Sequence, residues 1–303
     1  MYGEPLLVTF LWSTSFVLIK LGLSEVSPFL FAAVRYSLAF AVLGLFDLGL
    51  ASRGGKEAAL GRTNMVLLVI AGICGYTLAQ GFQFLGLFYL PAVTTSFLLN
   101  FTPIFVLILG ILALHEKASG LQLLGLAVAL AGAFAFFSER LSWKGEQLGV
   151  LIVIIGGIAW ATYMVIMRRI QRVNKLSSLR LTLVTMGIGT AGLVTLAIVF
   201  EGLKPISLNA VIIILWLSTV NTALAFLLWN HALKFIRPYE LSVIQNSMLV
   251  QIAILAWLFL GENLTLVMVM GVILVITGVL LVQIPTVKSN NPQPHAKSQY
   301  FSN

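Results

Sequence analysis

The sequence predicts an all-α integral membrane protein of ten transmembrane helices, arranged as two inverted five-helix repeats. Three observations predict it. Of the 303 residues, 59% are hydrophobic and only 9% charged, and the mean hydropathy is +1.03; that much apolar surface exceeds what a water-soluble globule can bury, so much of it faces lipid. The apolar residues fall into ten continuous runs of about 20, each long enough to span the hydrocarbon core as a helix. Finally, residues 91–116, PAVTTSFLLNFTPIFVLILGILALHE, recur at a shift of 146 as residues 238–262, PYELSVIQNSMLVQIAILAWLFLGE. The shift pairs Ser96 with Ser242, Asn100 with Asn246, Ile108 with Ile254, Leu114 with Leu260 and Glu116 with Glu262, and continues to Gly125 with Gly271 and Gly132 with Gly278. Self-similarity at one long offset marks two copies of a structural unit.

In chain order, the first span covers about 5–23 and carries LWSTSFVLIK. It is too long for a signal peptide, lacks a basic start, and has Lys20 where a cleavage site would sit. The second, 28–48, holds PFLFAAVRYSLAF and so an Arg inside an apolar run. The third (65–87) is followed by the fourth (91–113), which Pro103 is expected to kink because proline lacks the amide hydrogen an uninterrupted helix needs. Leu249 stands at the repeat position, so the two halves need not bend alike. The fifth span (119–138) carries the small-residue stripe Gly125, Ala129 and Ala133, matched by Gly271 and Gly278 on the tenth (265–284); such stripes serve close helix packing or a dimer face. Between them lie 147–167, 177–200, 207–233 and 238–260. Helices are preferred to barrel strands because the runs are continuous rather than alternating. A shift of 148 pairs Trp12 with Trp160, Thr14 with Thr162, Val17 with Val165 and Lys20 with Arg168, so the first spans of the halves also match.

Five spans per copy is an odd number, which turns the second copy over in the membrane. The domains are therefore 1–140 and 141–284, followed by a polar, Pro- and Asn-rich tail, 285–303, too poor in apolar residues to fold. Of the 18 Lys and Arg, Lys20, Arg140, Lys144 and Lys204 fall on one face, Arg35 lies within the second span, and the other thirteen fall on the face carrying both termini. Basic loops stay in the cytoplasm, so both termini are expected there. The formal charge of +8 sits between apolar runs rather than on a soluble basic face, which argues against a nucleic-acid partner. The single cysteine, Cys74, rules out an intramolecular disulfide or a zinc cluster.

The opening LWSTSFVLIK, the PFLFAAVRYSLAF segment and the two stretches ending in HE and GE, in this order and duplicated over residues 5–284, resemble the drug/metabolite transporter superfamily, specifically its EamA-type ten-helix members. The resemblance implies an inner-membrane carrier, commonly an exporter of amino acids or other metabolites, with a central cavity between the halves.

Inverted repeats place a solute site near the midplane at their junction. The polar and aromatic residues at mid-span are the candidates: Trp12 and Thr14 on the first span; Tyr76, Gln80 and Gln83 on the third; Asn100 on the fourth; Trp160 and Tyr163 on the sixth; Asn221, Trp229 and Asn230 on the eighth; Gln245 and Asn246 on the ninth. Ser15, Thr222 and Gln251 belong to the same polar set. Amides donate and accept together, which suits a zwitterionic or hydroxylated solute, and tryptophan rings favour an apolar portion. Many such groups serve instead as hydrogen-bonding glue between helices. His231 is the one histidine within a helix and a conceivable proton carrier. Arg35 lies about two turns into its span and Glu116, Glu262, Lys20 and Arg168 at span ends, where snorkelling reduces the cost of charge; the two glutamates are read as helix ends.

The predicted function is thus a secondary transporter exporting small metabolites such as amino acids by alternating access, with no metal, no cofactor, and a homodimer conceivable. A sugar-phosphate or nucleotide-sugar antiporter is the alternative, favoured if Lys20, Arg35 or Arg168 lines the cavity. A membrane enzyme is disfavoured because His231 has no acid partner, and direct ATP drive because no phosphate-binding glycine loop occurs. A small cationic-drug pump would need an acid within the first span, which Glu4 precedes.

Overall fold

The computed structural model describes residues 3–51, 62–114, 119–138, 146–173, 177–232 and 238–283. These are helical almost throughout, because a backbone in hydrocarbon must satisfy its own amides. The helices are α1 (Gly3–Gly22), α2 (Pro28–Ala51), α3 (Arg62–Gly72), α4 (Ala79–Tyr89), α5 (Ala92–Leu99), α6 (Thr102–Leu114) and α7 (Gly120–Ser138), then α8 (Gln147–Val173), α9 (Ser178–Leu196), α10 (Leu208–Ser218), α11 (Ala225–Ala232), α12 (Pro238–Leu260) and α13 (Leu266–Gln283). They compose the ten expected spans once the interruptions are recognised. A π-helical turn, Ile73–Leu78, joins α3 to α4, and another, Thr219–Leu224, joins α10 to α11; a third, Ala197–Glu201, ends the α9 span.

The first two π-turns stand 146 residues apart at both ends, the offset that aligns the sequence repeats. Span four is broken at Asn100 and Phe101. Pro103 cannot donate to the Leu99 carbonyl, and the Thr102 hydroxyl takes that acceptor instead at 2.7 Å. At the corresponding place, around Leu249, α12 runs unbroken.

The core is mixed rather than purely apolar. Phe31, Tyr76, Phe84, Phe97 and Phe136 are wholly enclosed, while Phe134, Phe200 and Leu208 stay more than two-thirds exposed (78%, 71% and 75%), as side chains facing lipid do. The expected small-residue stripes find each other within the chain. A methyl group added at Gly125 would stand 2.6 Å from the Gly278 carbonyl oxygen, and one at Gly132 2.8 Å from that of Gly271, so α7 and α13 are in backbone contact. The stripe is consumed by packing inside the protomer, not left as a dimer face.

Two glutamates from the later half of the chain clasp helix starts in the earlier half. Glu201 accepts from the amides of Phe29 (3.0 Å) and Leu30 (2.9 Å). Glu262 accepts from Ala92 (2.6 Å) and Val93 (3.0 Å). In both cases the amides follow a proline, Pro28 or Pro91, and belong to the first turn, where helix amides lack an intrahelical acceptor and the helix dipole favours an anion. Each glutamate adjoins a glycine of positive φ, Gly202 at 70° and Gly261 at 66°, a backbone conformation glycine adopts at low cost where the chain leaves its helix. On the same side, the Lys20 ammonium donates to the Leu87 and Leu90 carbonyls at 2.6 and 2.8 Å, and the Ser207 hydroxyl donates to Glu25. The expectation that Glu262 merely ends its helix is thereby sharpened: it ties α12 to α5. Its repeat partner Glu116, the loop residue Trp143 and the 285–303 tail lie outside the described residues.

Candidate functional site

The site grows out of the second π-turn. A π-turn carries one residue more than an α-turn, which re-aims the side chains that follow. Asn221 and Thr222 sit on it with no solvent exposure. Asn221 turns to the first span, where its Nδ2 donates to the Leu11 carbonyl, to Thr14 Oγ1 at 2.9 Å and to Ser15 Oγ at 3.0 Å. Thr222 turns to the second span and accepts from Arg35 Nε at 3.0 Å, while its own hydroxyl donates to the Leu217 carbonyl at 2.9 Å. One turn of helix thus joins α1 to α2 through polar groups.

A second polar junction links α1 to α12. Ser13 donates to Gln251 Oε1 at 2.9 Å, and Gln251 Nε2 lies 3.1 Å from Ser247 Oγ and 3.4 Å from Thr9 Oγ1. Between and beside these run two aromatic clusters. Trp12 meets Trp229 at 5.0 Å and Phe226 at 5.8 Å between ring centres. Tyr36, Tyr76, Tyr163 and Trp160 form a ladder across α2, the first π-turn and α8, with ring centres 5.7, 5.8 and 4.9 Å apart. The ladder runs close because Gly75 leaves room: a methyl group there would stand 2.5 Å from the Tyr163 ring.

Of the candidates, Thr14 and Asn221 are in direct contact, as are Trp12 and Trp229. Tyr76, Trp160 and Tyr163 share the ladder, and Gln80 joins it by accepting from the Tyr36 hydroxyl at 2.7 Å. Gln83 and Gln245 are half-buried on α4 and α12. Asn100 sits at the break of span four, where its buried side-chain oxygen has no hydrogen-bonding partner among the described residues; among them the Tyr76 hydroxyl and the Asn221 side-chain oxygen are likewise unpartnered. The side chains of Asn230, His231 and Asn246 lie outside the described residues, as does that of Arg168.

Arg35 is the finding that sequence position alone undervalued. The sequence sets it about two turns into its span and not deep in the bilayer; in the structure it is 5% exposed, the one charged residue among the buried polar residues described. Seven residues beyond Pro28, it stands about 10 Å along its helix, roughly a third of the way through a ~30 Å hydrocarbon core. Its guanidinium lies 5.5 Å from the Tyr36 ring centre and 5.8 Å from that of Phe84. A central charge costs about 2.5 to 3.5 kcal/mol on insertion scales, which the Thr222 bond and two ring contacts of up to ~2 kcal/mol each in a dry setting can offset. The signal was present in the sequence as an Arg within PFLFAAVRYSLAF, but nothing there says which way it points.

Among the described residues the centre offers hydrogen-bond donors, acceptors and ring faces, a set able to hold a small solute.

Comparison with known proteins agrees with that reading. The model of the EamA-like transporter family matches twice, over residues 5–138 and 147–284. An uncharacterized transporter of Archaeoglobus fulgidus is 29% identical, the alignment covering 91% of this chain and 94% of the relative. A probable amino-acid metabolite efflux pump of Escherichia coli is 24% identical over 90% of this chain and 91% of its own. An S-adenosylmethionine/S-adenosylhomocysteine transporter of Chlamydia muridarum is 25% identical over 87% of each. A protein of known crystal structure shares the fold with a TM-score of 0.63 at 20% identity, covering 92% of this chain and 95% of that one. The chain belongs to the EamA-like transporter family.

Proposed function

We propose that this transporter exports small metabolites, amino acids foremost, by alternating access between two inverted halves, with both termini in the cytoplasm of a cell whose inner membrane it spans. The observation that carries this reading is the pair of polar junctions holding α1: Asn221 on one side and Gln251 on the other. Hydrogen bonds between neutral groups in a membrane interior are worth about 0.6 kcal/mol each. Such bonds hold one arrangement and release it without a large barrier, as a moving wall requires. The glutamate clasps at Pro28 and Pro91 lie on the face assigned to the outside by the basic-residue count, so this conformation is closed there.

The coincidence of the two π-turns with the 146-residue offset supports the inverted architecture. So does the clasp at Pro91, where the end of α12 meets the start of α5, its counterpart in the first half. The central walls then comprise Trp12, Thr14, Tyr76, Gln80, Asn100, Trp160, Tyr163, Asn221 and Trp229, joined by Gln83 and Gln245. The amino-acid efflux pump of Escherichia coli supports the solute class. Counterflow into liposomes containing the purified protein tests it: labelled amino acids should accumulate against preloaded unlabelled ones. Absence of exchange for every amino acid, nucleoside and sugar phosphate offered would sink the carrier reading itself.

A further inference from the structure

We infer that Arg35 is the anchor for an anionic group of the transported solute, and that this group is a carboxylate. The inference rests on the carrier reading above and names its substrate chemistry. Among the described residues no carboxylate forms an ion pair with Arg35: its side-chain hydrogen bond runs from Nε to the Thr222 hydroxyl, and the Tyr36 and Phe84 rings lie near its guanidinium. A guanidinium carries five N–H donors in a planar fork suited to two carboxylate oxygens at once. Thr222 uses only the Nε–H, so the terminal amino groups of the fork stay uncommitted. An ionisable group kept within a membrane bundle is by default a functional one, and a charge held without its counter-ion is a site prepared for one that arrives.

Three further observations narrow the class. Thr222, which holds the guanidinium, shares its π-turn with Asn221, whose side-chain oxygen is buried without a donor among the described residues. An acceptor one residue from a cation holder matches a solute bearing a carboxylate and an ammonium, that is, a zwitterion. Second, the described cation nearest to a rival role, Lys20, has its ammonium committed to two backbone carbonyls at 2.6 and 2.8 Å. One guanidinium balances a monoanion, whereas a phosphate monoester carries close to two charges and calls for a second cation. Third, the Trp12 and Trp229 rings give the same region an apolar face.

The test compares free amino acids with their own carboxamides on the intact purified chain. Leucine, methionine, phenylalanine and tryptophan, the four amides, phenethylamine and glucose 6-phosphate serve as probes in thermal-shift titration and counterflow. The wild type should bind at least one of the acids tenfold or more tightly than its amide, a difference of about 1.4 kcal/mol. Arg35→Gln should bring that acid down to the amide's level, and Arg35→Lys should fall between, since an ammonium lacks the fork. Should Arg35→Gln fail to fold, Thr222→Val removes the hydroxyl that holds the guanidinium while keeping the volume, and should weaken the acid several-fold and leave the amide unchanged. Equal binding of acid and amide, glucose 6-phosphate binding more tightly than any acid, or undiminished acid binding in Arg35→Gln overturns the anchor. Counterflow of phenethylamine or an amide retained by Arg35→Gln, with no acid bound by the wild type, overturns it while leaving the carrier reading intact. No binding of any acid overturns the anchor, and no exchange of these probes or of the other amino acids, nucleosides and sugar phosphates offered in counterflow overturns both.

Discussion

Replacing Glu262 by glutamine tests whether the clasp at Pro91 controls opening. The carboxylate holds two first-turn amides of α5, at 2.6 and 3.0 Å. A hydrogen bond to a charged group contributes about 1.5 to 3 kcal/mol and one between neutral groups about 1. Glutamine keeps one carbonyl acceptor and loses both the charge and the second bond, a difference of about 2 to 5 kcal/mol that solvent around the half-buried Glu262 screens to about 1.5 to 2.5. Every 1.4 kcal/mol is tenfold, so the open population rises by about one order of magnitude or somewhat more. Thr95 is fully buried in the first turn of α5, beside the clasp. Cys74 is the only native cysteine, so Cys74→Ser with Thr95→Cys gives one reporter thiol. Its maleimide labelling rate in detergent follows the open fraction and should rise about tenfold on adding Glu262→Gln. An unchanged rate, with unaltered thermal unfolding, would refute the assignment of Glu262 to closure and return it to a passive helix end.

Gly125→Val puts two methyl groups where even a Cβ stands 2.6 Å from the Gly278 carbonyl oxygen and 2.8 Å from the Val282 amide nitrogen. Backbone cannot yield as a side chain does, so α7 and α13 should separate at a cost of about 3 kcal/mol or more, read as a lowered Tm and loss of expression. Asn221→Ala leaves the Thr14 and Ser15 hydroxyls without that donor; unfolding should cost about 1 to 2 kcal/mol less, and counterflow should fall more steeply than stability. By contrast, Asp47→Asn removes an ion pair of 3.3 Å whose side chains are 35% and 23% exposed, Arg180 and Asp47 respectively. Screened by solvent, it should shift stability by under about 1 kcal/mol and leave transport unchanged.

Much of this fold is legible in one dimension. In lipid each helix must close its own hydrogen bonds, so an apolar run of sufficient length is a span, and the ten runs became ten spans. Pro103 marked a break because a missing amide hydrogen is a local property. The π-turns were not legible: Ile73–Leu78 and Thr219–Leu224 have no distinctive composition, and only the packing of neighbours decides where a helix takes up an extra residue. The clasps were half legible. Pro28 and Pro91 announce helix starts, and Gly202 and Gly261 announce turns, but which carboxylate reaches which amides depends on contacts more than 160 residues apart in sequence.

The site divides along the same line. The residue types at mid-span, amides, hydroxyls and large rings, are readable along the chain because their polarity stands out against an apolar run. Which of them meet depends on how distant helices pack. Thr14 found Asn221 and Trp12 found Trp229, while among the described residues Gln83 and Gln245 gained no partner comparable to Asn221. The direction in which a side chain faces is set by helix rotation, and helix rotation is fixed by packing against other helices. That is why Arg35, read along the chain as one more charge in a span, proves in three dimensions to be a buried cation held by Thr222.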